Sequence, residues 1–570
     1  MGAEESKPIE PVPRDFHYMC VVFKIPDNIQ IIHGAEEEHG VVQRAIEKIW
    51  QEGIQATKWK CAGSVLCFKL NGLPFETGIL SMNVRDVVCE ILKHLNNIGW
   101  RHVVSTNLTM CREWFSFIFV RQKACGMNFN QLGYMSMSSN DKLQFVNLKS
   151  VPLDQISEAF SAYSPGGELQ DNMKSYEIVL TGNPWSGRSL YHTDARILFI
   201  KIFAIITKTH HFLCTMNIKR TEDTFVFRPK TNKDDDMKTS DFFIFTLRKT
   251  KKFQIYNASD ELIDQIHELV IEVIERKGIS FSRKLQQKVE YKLKFPSETS
   301  QKQKTFIIKF FVCKLLEKMK AHGWGILTGF DMSRGISNKG ELLFQRSPHL
   351  SHCKAFCLSP LSGSKLALIN APPSIVTACH DIITARWHQP LISQTQYKGI
   401  TTCEIFELGG HPWGDSSDGA YFAHSMLCFM LNKFLHEGYR LVVTADVIQD
   451  SLEYDDGTSC PHDPNAWWFM HKPQEYDESA LLASAPPWSE VESSPQMPSV
   501  SSMLVDDFRE PPISDPLAHQ GEKAAVRAQL SSGYNNENTF EEPPPSYQEP
   551  PPSNQEPPPS YEEAMGQHYG

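Results

Sequence analysis

The sequence predicts an α+β architecture: four tandem modules, each a two-layer β-β-α-β-α-β-β sandwich, followed by a disordered Pro-rich acidic tail. Three observations carry this expectation. A strand ending in a turn recurs as FKLNGLPF at 68–75, IVLTGNPW at 178–185, YKLKFPS at 291–297 and FELGGHPW at 406–413, with Pro74, Pro184, Pro296 and Pro412 spaced 110, 112 and 116 apart. After each turn comes a helical stretch, and three of the four close on a glycine and an aromatic ring: Gly99-Trp100, Gly323-Trp324 and Gly438-Tyr439. Charge also divides along the chain, with 17 Asp and Glu against 3 Lys and Arg from residue 473 onward, but 50 against 54 before it.

Within a module the elements follow in a fixed order. Two short apolar strands and a helix precede the turn, as in MCVVFK, IQIIHG and VVQRAIEKIW between 19 and 50. FFIFTL, KFQIYN and LIDQIHELVIEVI repeat them between 242 and 274, and AFCLSP, KLALIN and IVTACHDIITARW between 355 and 387. The turn strand comes next, then the second helix. Val84, Val87, Val88, Ile91, Leu92, Leu95 and Ile98 recur at i, i+3 and i+4, the pattern of one buried helical face. Gly99 closes that helix as a left-handed cap. A pair of strands ends the module, HVVSTN and FSFIFVR in the first. Helices alternating with strands place the helices on one face of each sheet. The modules run over 15–123, 133–229, 241–347 and 354–473, each of ordinary domain size, with polar linkers such as TNKDDDMKTS at 231–240. The most apolar run, ILFIKIFAII at 197–206, is short and contains Lys201, which predicts a buried helix rather than a membrane span.

Composition narrows the function classes. The body carries about +4 and the tail −14. An acidic, Pro-rich segment poor in aliphatic residues buries too little surface to offset the entropy of ordering, so 474–570 is expected to be disordered. A body so weakly basic is compatible with anionic lipid but does not argue for nucleic acid. Fourteen cysteines lie scattered without a CxxC pair, and no secretory signal is apparent, which fits reduced thiols in a cytosolic protein.

Catalytic signatures are missing: no Gly-rich phosphate loop, HExxH, GxSxG or Walker pattern occurs, so the reading leans against an enzyme and implies no cofactor. Cys460, His462 and Asp463 could form a nucleophile, base and orienting carboxylate, but a turn rich in Asp, Gly and Pro is the simpler account. In the second module Thr209-His210-His211 replaces the Gly-aromatic ending, and His192 precedes it on the helix; no spacing there announces a metal site, and a surface or interdomain histidine pair is expected. A Gly-x-Pro-aromatic turn repeated through the modules reads as architecture, with Trp185 or Trp413 covering the core edge. The third copy departs from it, with Lys294 and Ser297 in place of the glycine and the aromatic ring.

The tail repeats one heptapeptide three times, EPPPSYQ at 542–548, EPPPSNQ at 549–555 and EPPPSYE at 556–562. Consecutive prolines preset the polyproline II conformation, so docking into an aromatic-lined groove loses little entropy. Pro544, Pro545 and Tyr547, and again Pro558, Pro559 and Tyr561, resemble the PPxY ligands of WW domains. That resemblance implies WW-domain partners, usually HECT-type ubiquitin ligases. Asn554 takes the tyrosine's place in the middle copy, which should not bind. Further upstream, Asp477, Leu481 and Leu482 resemble an acidic dileucine sorting signal.

The opening MGAEESK resembles the N-myristoylation pattern, with Gly2 as the acylated residue and Ala3, Ser6 and Lys7 fitting it, over a segment at 1–14. One acyl chain gives marginal, reversible membrane binding. The body resembles tandem GxPW-type repeats of uncharacterised eukaryotic proteins, a likeness that brings no activity. Together these features predict a cytoplasmic adaptor or scaffold, associated with the cytoplasmic face of the plasma or endosomal membrane, that recruits WW-domain proteins through its tail. An enzyme or small-molecule sensor with a site between modules, and a self-assembling scaffold, are the competing expectations.

Overall fold

The computed structural model describes residues 16–471, apart from connecting segments at 62–63, 76–81, 107, 109–113, 123–130, 139–140, 149, 162, 164–165, 173–174, 186–190, 218–222, 231–240, 286–287, 333–339, 348–349, 362, 398–402, 415–416, 447–450, 454–458 and 462–464.

The first module comprises β1 (Tyr18–Lys24), β2 (Asn28–Ile32), α1 (Glu36–Ile49), β3 (Ile54–Lys60), β4 (Val65–Leu70), α2 (Met82–Asn97), β5 (Trp100–Thr106) and β6 (Trp114–Arg121). The second has β7 (Gly133–Ser138), β8 (Lys142–Val146), α3 (Leu153–Ser161), β9 (Gly167–Asn172), β10 (Ser175–Leu180), α4 (His192–Thr209), β11 (His210–Asn217) and β12 (Asp223–Pro229). The third has β13 (Phe242–Arg248), β14 (Lys252–Tyr256), α5 (Asp260–Val273), β15 (Ser280–Leu285), β16 (Val289–Lys294), α6 (Gln301–Ala321), β17 (Trp324–Phe330) and β18 (Gly340–Arg346). The fourth has β19 (Ala355–Leu361), β20 (Lys365–Ile369), α7 (Pro373–Arg386), β21 (Leu391–Gln396), β22 (Cys403–Leu408), α8 (Ser417–His436) and β23 (Tyr439–Ala445). A small hairpin of β24 (Ser451–Glu453) and β25 (Ser459–Pro461) follows, then β26 (Ala466–His471).

The expected α+β class holds, with four six-stranded antiparallel sheets and two helices to each. Every sheet has the same strand order, β3-β4-β2-β1-β6-β5 in the first module and its equivalents in the others. One correction applies to each module: two strands, not one, separate the helices. The added strands β3, β9, β15 and β21 lie at the outer edge and lack an apolar run; in IQATKWK of β3 most side chains are exposed. Each packs an apolar side chain against its core, Ile54, Leu169, Phe281 and Leu391, and such strands leave little hydrophobic periodicity to read.

Alternate residues along the central strands face opposite layers, and both layers are buried. On the inner faces, Met19, Val21 and Phe23 of β1 pack against their own helices. The outer faces are covered by the helices of the preceding module. The second-module cluster joins Phe199, Ile202 and Phe203 of α4 to Ile244 and Tyr256 of the third sheet. The third-module cluster joins α6 to Cys357, Ile369 and Trp468 of the fourth sheet. The fourth joins α8 to Tyr18, Cys20 and Val22 of the first, and the first reaches Tyr134 and Met216 of the second. The four modules therefore close into a ring, each second helix lying between its own sheet and the next.

This sandwiching explains why the second helices are apolar nearly all round. Leu198, Phe199, Ile200, Ile202, Phe203, Ile205 and Ile206 of α4 are all buried, whereas Lys201 stays exposed. Among the described residues no helix is long and apolar enough to cross a membrane. Gly99, Gly323 and Gly438 adopt φ of 91°, 77° and 78°, the left-handed closures expected at the ends of α2, α6 and α8.

Candidate functional site

Each junction of the ring inserts one basic or imidazole side chain from the second helix into the next module's outer sheet face. In the third module Lys309 of α6 is buried and donates through Nζ to Ser359 Oγ of β19 at 2.6 Å. In the second, Arg196 of α4 pairs with Glu341 of β18, both buried. In the fourth, His424 of α8 meets Ser116 Oγ of β6 at 2.5 Å. In the first, Arg85 of α2 is buried beside Asp86, whose carboxylate accepts from the Tyr134 hydroxyl of β7 at 3.4 Å. Arg85, Lys309 and His424 each stand fourteen positions before the glycine that closes their helix. That spacing was a readable signal, and motif-based reading passed over it because none of the three belongs to a catalytic pattern.

The chemistry of His424 is fixed by its neighbours. Its Nδ1 lies 2.6 Å from the Ala420 carbonyl, an acceptor only, so Nδ1 carries the proton. Nε2 then accepts from the Ser116 hydroxyl. Burial pushes the imidazole down to about 4, so it is neutral at ordinary pH. His33 lies at the same junction, with Nε2 3.0 Å from Ser425 Oγ, and burial likewise pushes it down to about 4.

At the centre of the ring the inner edge strands β5, β11, β17 and β23 converge. Each carries a bulge, at Val103, Leu213, Leu327 and Val442 respectively. These residues line a cavity of about 110 Å³, together with Ser105, Thr215, Thr328, Thr444 and the acidic residues Asp223, Asp331 and Asp446. Hydroxyl contacts link neighbouring modules there. Ser105 Oγ donates to the Thr215 carbonyl at 2.9 Å, Thr215 Oγ1 meets Thr328 Oγ1 at 2.9 Å, and Thr444 Oγ1 donates to the Ser105 carbonyl at 3.2 Å. The third and fourth modules meet at Gly329, where an added Cβ would lie 2.4 Å from the Thr444 carbonyl oxygen. His102 faces Ser105 Oγ at 3.0 Å, and burial holds it neutral by pushing it down to about 3. A volume of 110 Å³ accommodates a few waters, well short of the roughly 300–1,000 Å³ typical of small-molecule sites.

The other histidines do not converge. His210 is buried, with Nδ1 2.8 Å from Thr209 Oγ1, and burial followed by the neighbouring His211 pushes it down to about 4. His211 follows on the opposite side of β11, and His192 is at the far end of α4. Among the described residues no three His, Cys, Asp or Glu side chains group as metal ligands. The repeated turn serves the core, since Phe75, Trp185 and Trp413 are buried and Trp413 Nε1 donates to the Lys365 carbonyl at 3.1 Å. Eleven cysteines among the described residues are free thiols, nine of them buried.

Gly2, Asp477, Leu481, Leu482 and the motif residues Pro544, Pro545, Tyr547, Pro558, Pro559 and Tyr561 lie outside the described residues, as do His462 and Asp463. The ends of the ring can be placed. The His17 amide donates to Asn432 Oδ1 of α8 at 2.9 Å, and its ring lies 6.0 Å from that of His436. His471, the last described residue, pairs with Tyr439 directly after the same helix, their rings 5.0 Å apart. Both chain ends of the ring thus emerge beside the C-terminus of α8.

One domain-family model, which carries no functional description, matches four times, at residues 17–119, 131–235, 241–345 and 354–470, one match to each module. No curated protein and no solved structure matches the chain.

Proposed function

We propose, from the premise that this chain belongs to the family defined by that fourfold domain, that it is a cytoplasmic adaptor whose ring serves as a platform and whose tail recruits WW-domain proteins. The observation that carries this reading is the pair of PPxY motifs ending at Tyr547 and Tyr561, set in a tail whose composition favours extended chain. Tyrosines fourteen positions apart allow one ligase with two WW domains to hold both, raising apparent affinity through effective concentration. The ring supports the platform role. Its central cavity is small, and the Ser105, Thr215, Thr328 and Thr444 hydroxyls on its lining are already engaged in contacts that link the modules.

Because both ends of the ring leave beside α8, a segment acylated at Gly2 and the recruiting tail would start from one place. A membrane-held N-terminus would then bring the bound ligase to the same surface. Head-to-tail packing is completed within one chain, which weighs against self-assembly through those same faces.

Pull-down of the full-length protein by tandem WW domains tests the reading. Tyr547→Ala with Tyr561→Ala should abolish capture, and either single change should weaken it less than a hundredfold. Undiminished capture of the double variant overturns the adaptor assignment. Gly2→Ala should shift the protein from membrane pellet to supernatant, and an unchanged distribution refutes the acyl anchor.

A further inference from the structure

The third module differs from its siblings in charge. Between 241 and 347 stand 20 Lys and Arg against 12 Asp and Glu, a net +8, whereas the first and second modules carry +1 each and the fourth −5. Four copies of one fold need the same packing, so an excess confined to one copy is not an architectural requirement. Strand register shows where part of it is displayed. Along β16, Val289, Tyr291 and Leu293 turn into the core, so Glu290, Lys292 and Lys294 turn the other way. Lys252 of β14 stands opposite Lys292, and Lys284 of β15 opposite Glu290, which puts four lysines from three strands on one face near the outer edge of the sheet.

The sibling modules do not share this face. The positions of Lys252, Lys284 and Lys292 hold Asn28, Lys58 and Lys69 in the first module. They hold Lys142, Gln170 and Val179 in the second, and Lys365, Thr395 and Glu407 in the fourth. In the third module Glu290 stands among the lysines, accepting from Lys252 Nζ at 2.8 Å and from Gln254 Nε2 at 2.7 Å, with Lys292 Nζ 3.8 Å away. Lys284, Lys292 and Lys294 are exposed, and no carboxylate among the described residues lies within ion-pair distance of Lys284 or Lys294. Like charges directly opposite one another across strands, as Lys252 and Lys292 are, repel, and an anionic surface relieves that repulsion.

We propose that this lysine face docks on a bilayer surface that contains anionic phospholipids. Exposed ammonium groups spread over neighbouring strands of one sheet face suit an array of headgroups better than a single small anion. The proposal deepens the reading of Gly2 as an acyl anchor: one myristoyl chain holds a protein only marginally, and stable attachment takes a second signal such as a basic patch. Here that patch is assembled in space from β14, β15 and β16. The 15 residues from Gly2 to His17 span at most about 50 Å, so the acyl chain need not emerge on the lysine face itself. Each lysine beside an anionic membrane strengthens binding about fivefold, so Lys284, Lys292 and Lys294 together supply about a hundredfold.

Full-length protein carrying Gly2→Ala, and therefore unacylated, tests the face apart from the anchor. At low salt it should sediment with phosphatidylcholine vesicles that contain phosphatidylserine, not with vesicles of phosphatidylcholine alone, and raising the salt should weaken the association. Lys284→Gln, Lys292→Gln and Lys294→Gln together should lower the partition coefficient about a hundredfold, and Lys284→Gln alone about fivefold. Lys58→Gln, Lys201→Gln and Lys354→Gln remove the same charge at exposed positions of the other three modules and should lower it less than about threefold. The proposal is overturned if phosphatidylserine brings no sedimentation, or if the variant at Lys284, Lys292 and Lys294 sediments like its parent. It is equally overturned if both triple variants weaken binding alike, which would assign the effect to overall charge. Equal sedimentation of the acylated and Gly2→Ala proteins would instead remove the acyl anchor and leave the lysine face standing.

Discussion

His424 of the fourth module and Ser116 of the first, 308 positions apart, share a buried hydrogen bond of 2.5 Å that lies across the seam where the ring closes. Ser116→Ala would leave the imidazole nitrogen buried without a donor, at a cost of about 1–3 kcal/mol. His424→Leu removes the acceptor instead and leaves the serine hydroxyl unpaired. The double variant should recover part of the loss, because neither partner is then stranded. Urea unfolding of the four proteins forms the double-mutant cycle, and a coupling near zero would show that the contact contributes nothing.

The seam should weaken in acid. His424 and His33 are both pushed down to about 4 by burial, while unfolded histidine titrates near 6.5. A depressed folded pKa means the unfolded chain takes up protons first. The stability these groups contribute is therefore complete above pH 6.5 and lost as pH falls toward 4. Ser425 and Arg386 face His33; Ser116 and the Ala420 carbonyl face His424, and no carboxylate among these partners stabilises either imidazolium. Stability measured by urea at pH 7.5, 6.0 and 5.0 should fall steeply, and His424→Asn should make the profile shallower while lowering its upper plateau.

Arg196 and Glu341 form the buried ion pair between the second and third modules. Glu341→Gln leaves the guanidinium charge stranded in the interior and should cost about 3–5 kcal/mol. Replacing both residues, as Arg196→Met with Glu341→Leu, should cost much less. Chemical denaturation resolves the difference, and equal losses would show that the charge itself is not the cause.

Two glycines of β17 differ in what surrounds them. A Cβ at Gly329 would meet the Thr444 carbonyl oxygen at 2.4 Å and Val443 Cγ2 at 2.9 Å, whereas at Gly325 the nearest atom is 4.0 Å away. Gly329→Ala should therefore push β23 from β17 and destabilise by about 1–3 kcal/mol, and Gly325→Ala should be near neutral. Thermal melts of the two variants compare them directly.

In the tail, Asn554→Tyr would complete the middle heptapeptide as a third PPxY motif. Capture by a protein with several WW domains should strengthen severalfold, while affinity for a single isolated WW domain should rise only in proportion to the number of sites. No gain with the multidomain partner would argue against multivalent recruitment.

The repeat was legible because it is local. Pro74, Pro184, Pro296 and Pro412 mark the turns, and Gly99, Gly323 and Gly438 close the helices. The outer strands such as β3 were not legible, since Thr57, Trp59 and Lys60 face solvent and no core imposes a pattern on them. The ring was not legible either. Leu198 to Ile206 announce a helix buried on nearly every side, but nothing local to α4 says that Ile244 and Tyr256 of another module provide the cover.

Closure gives the number four a physical meaning. An open array of repeats tolerates gain or loss of a unit, because each addition only moves the terminus. Here the α8 layer shields Tyr18, Cys20 and Val22 of the opening strand, so a chain shortened to three units would present two bare greasy walls. A fifth unit would have no gap to enter. Inheritance of this domain should accordingly proceed by substitution within copies, and a deletion spanning one copy should yield an aggregating product rather than a smaller working protein.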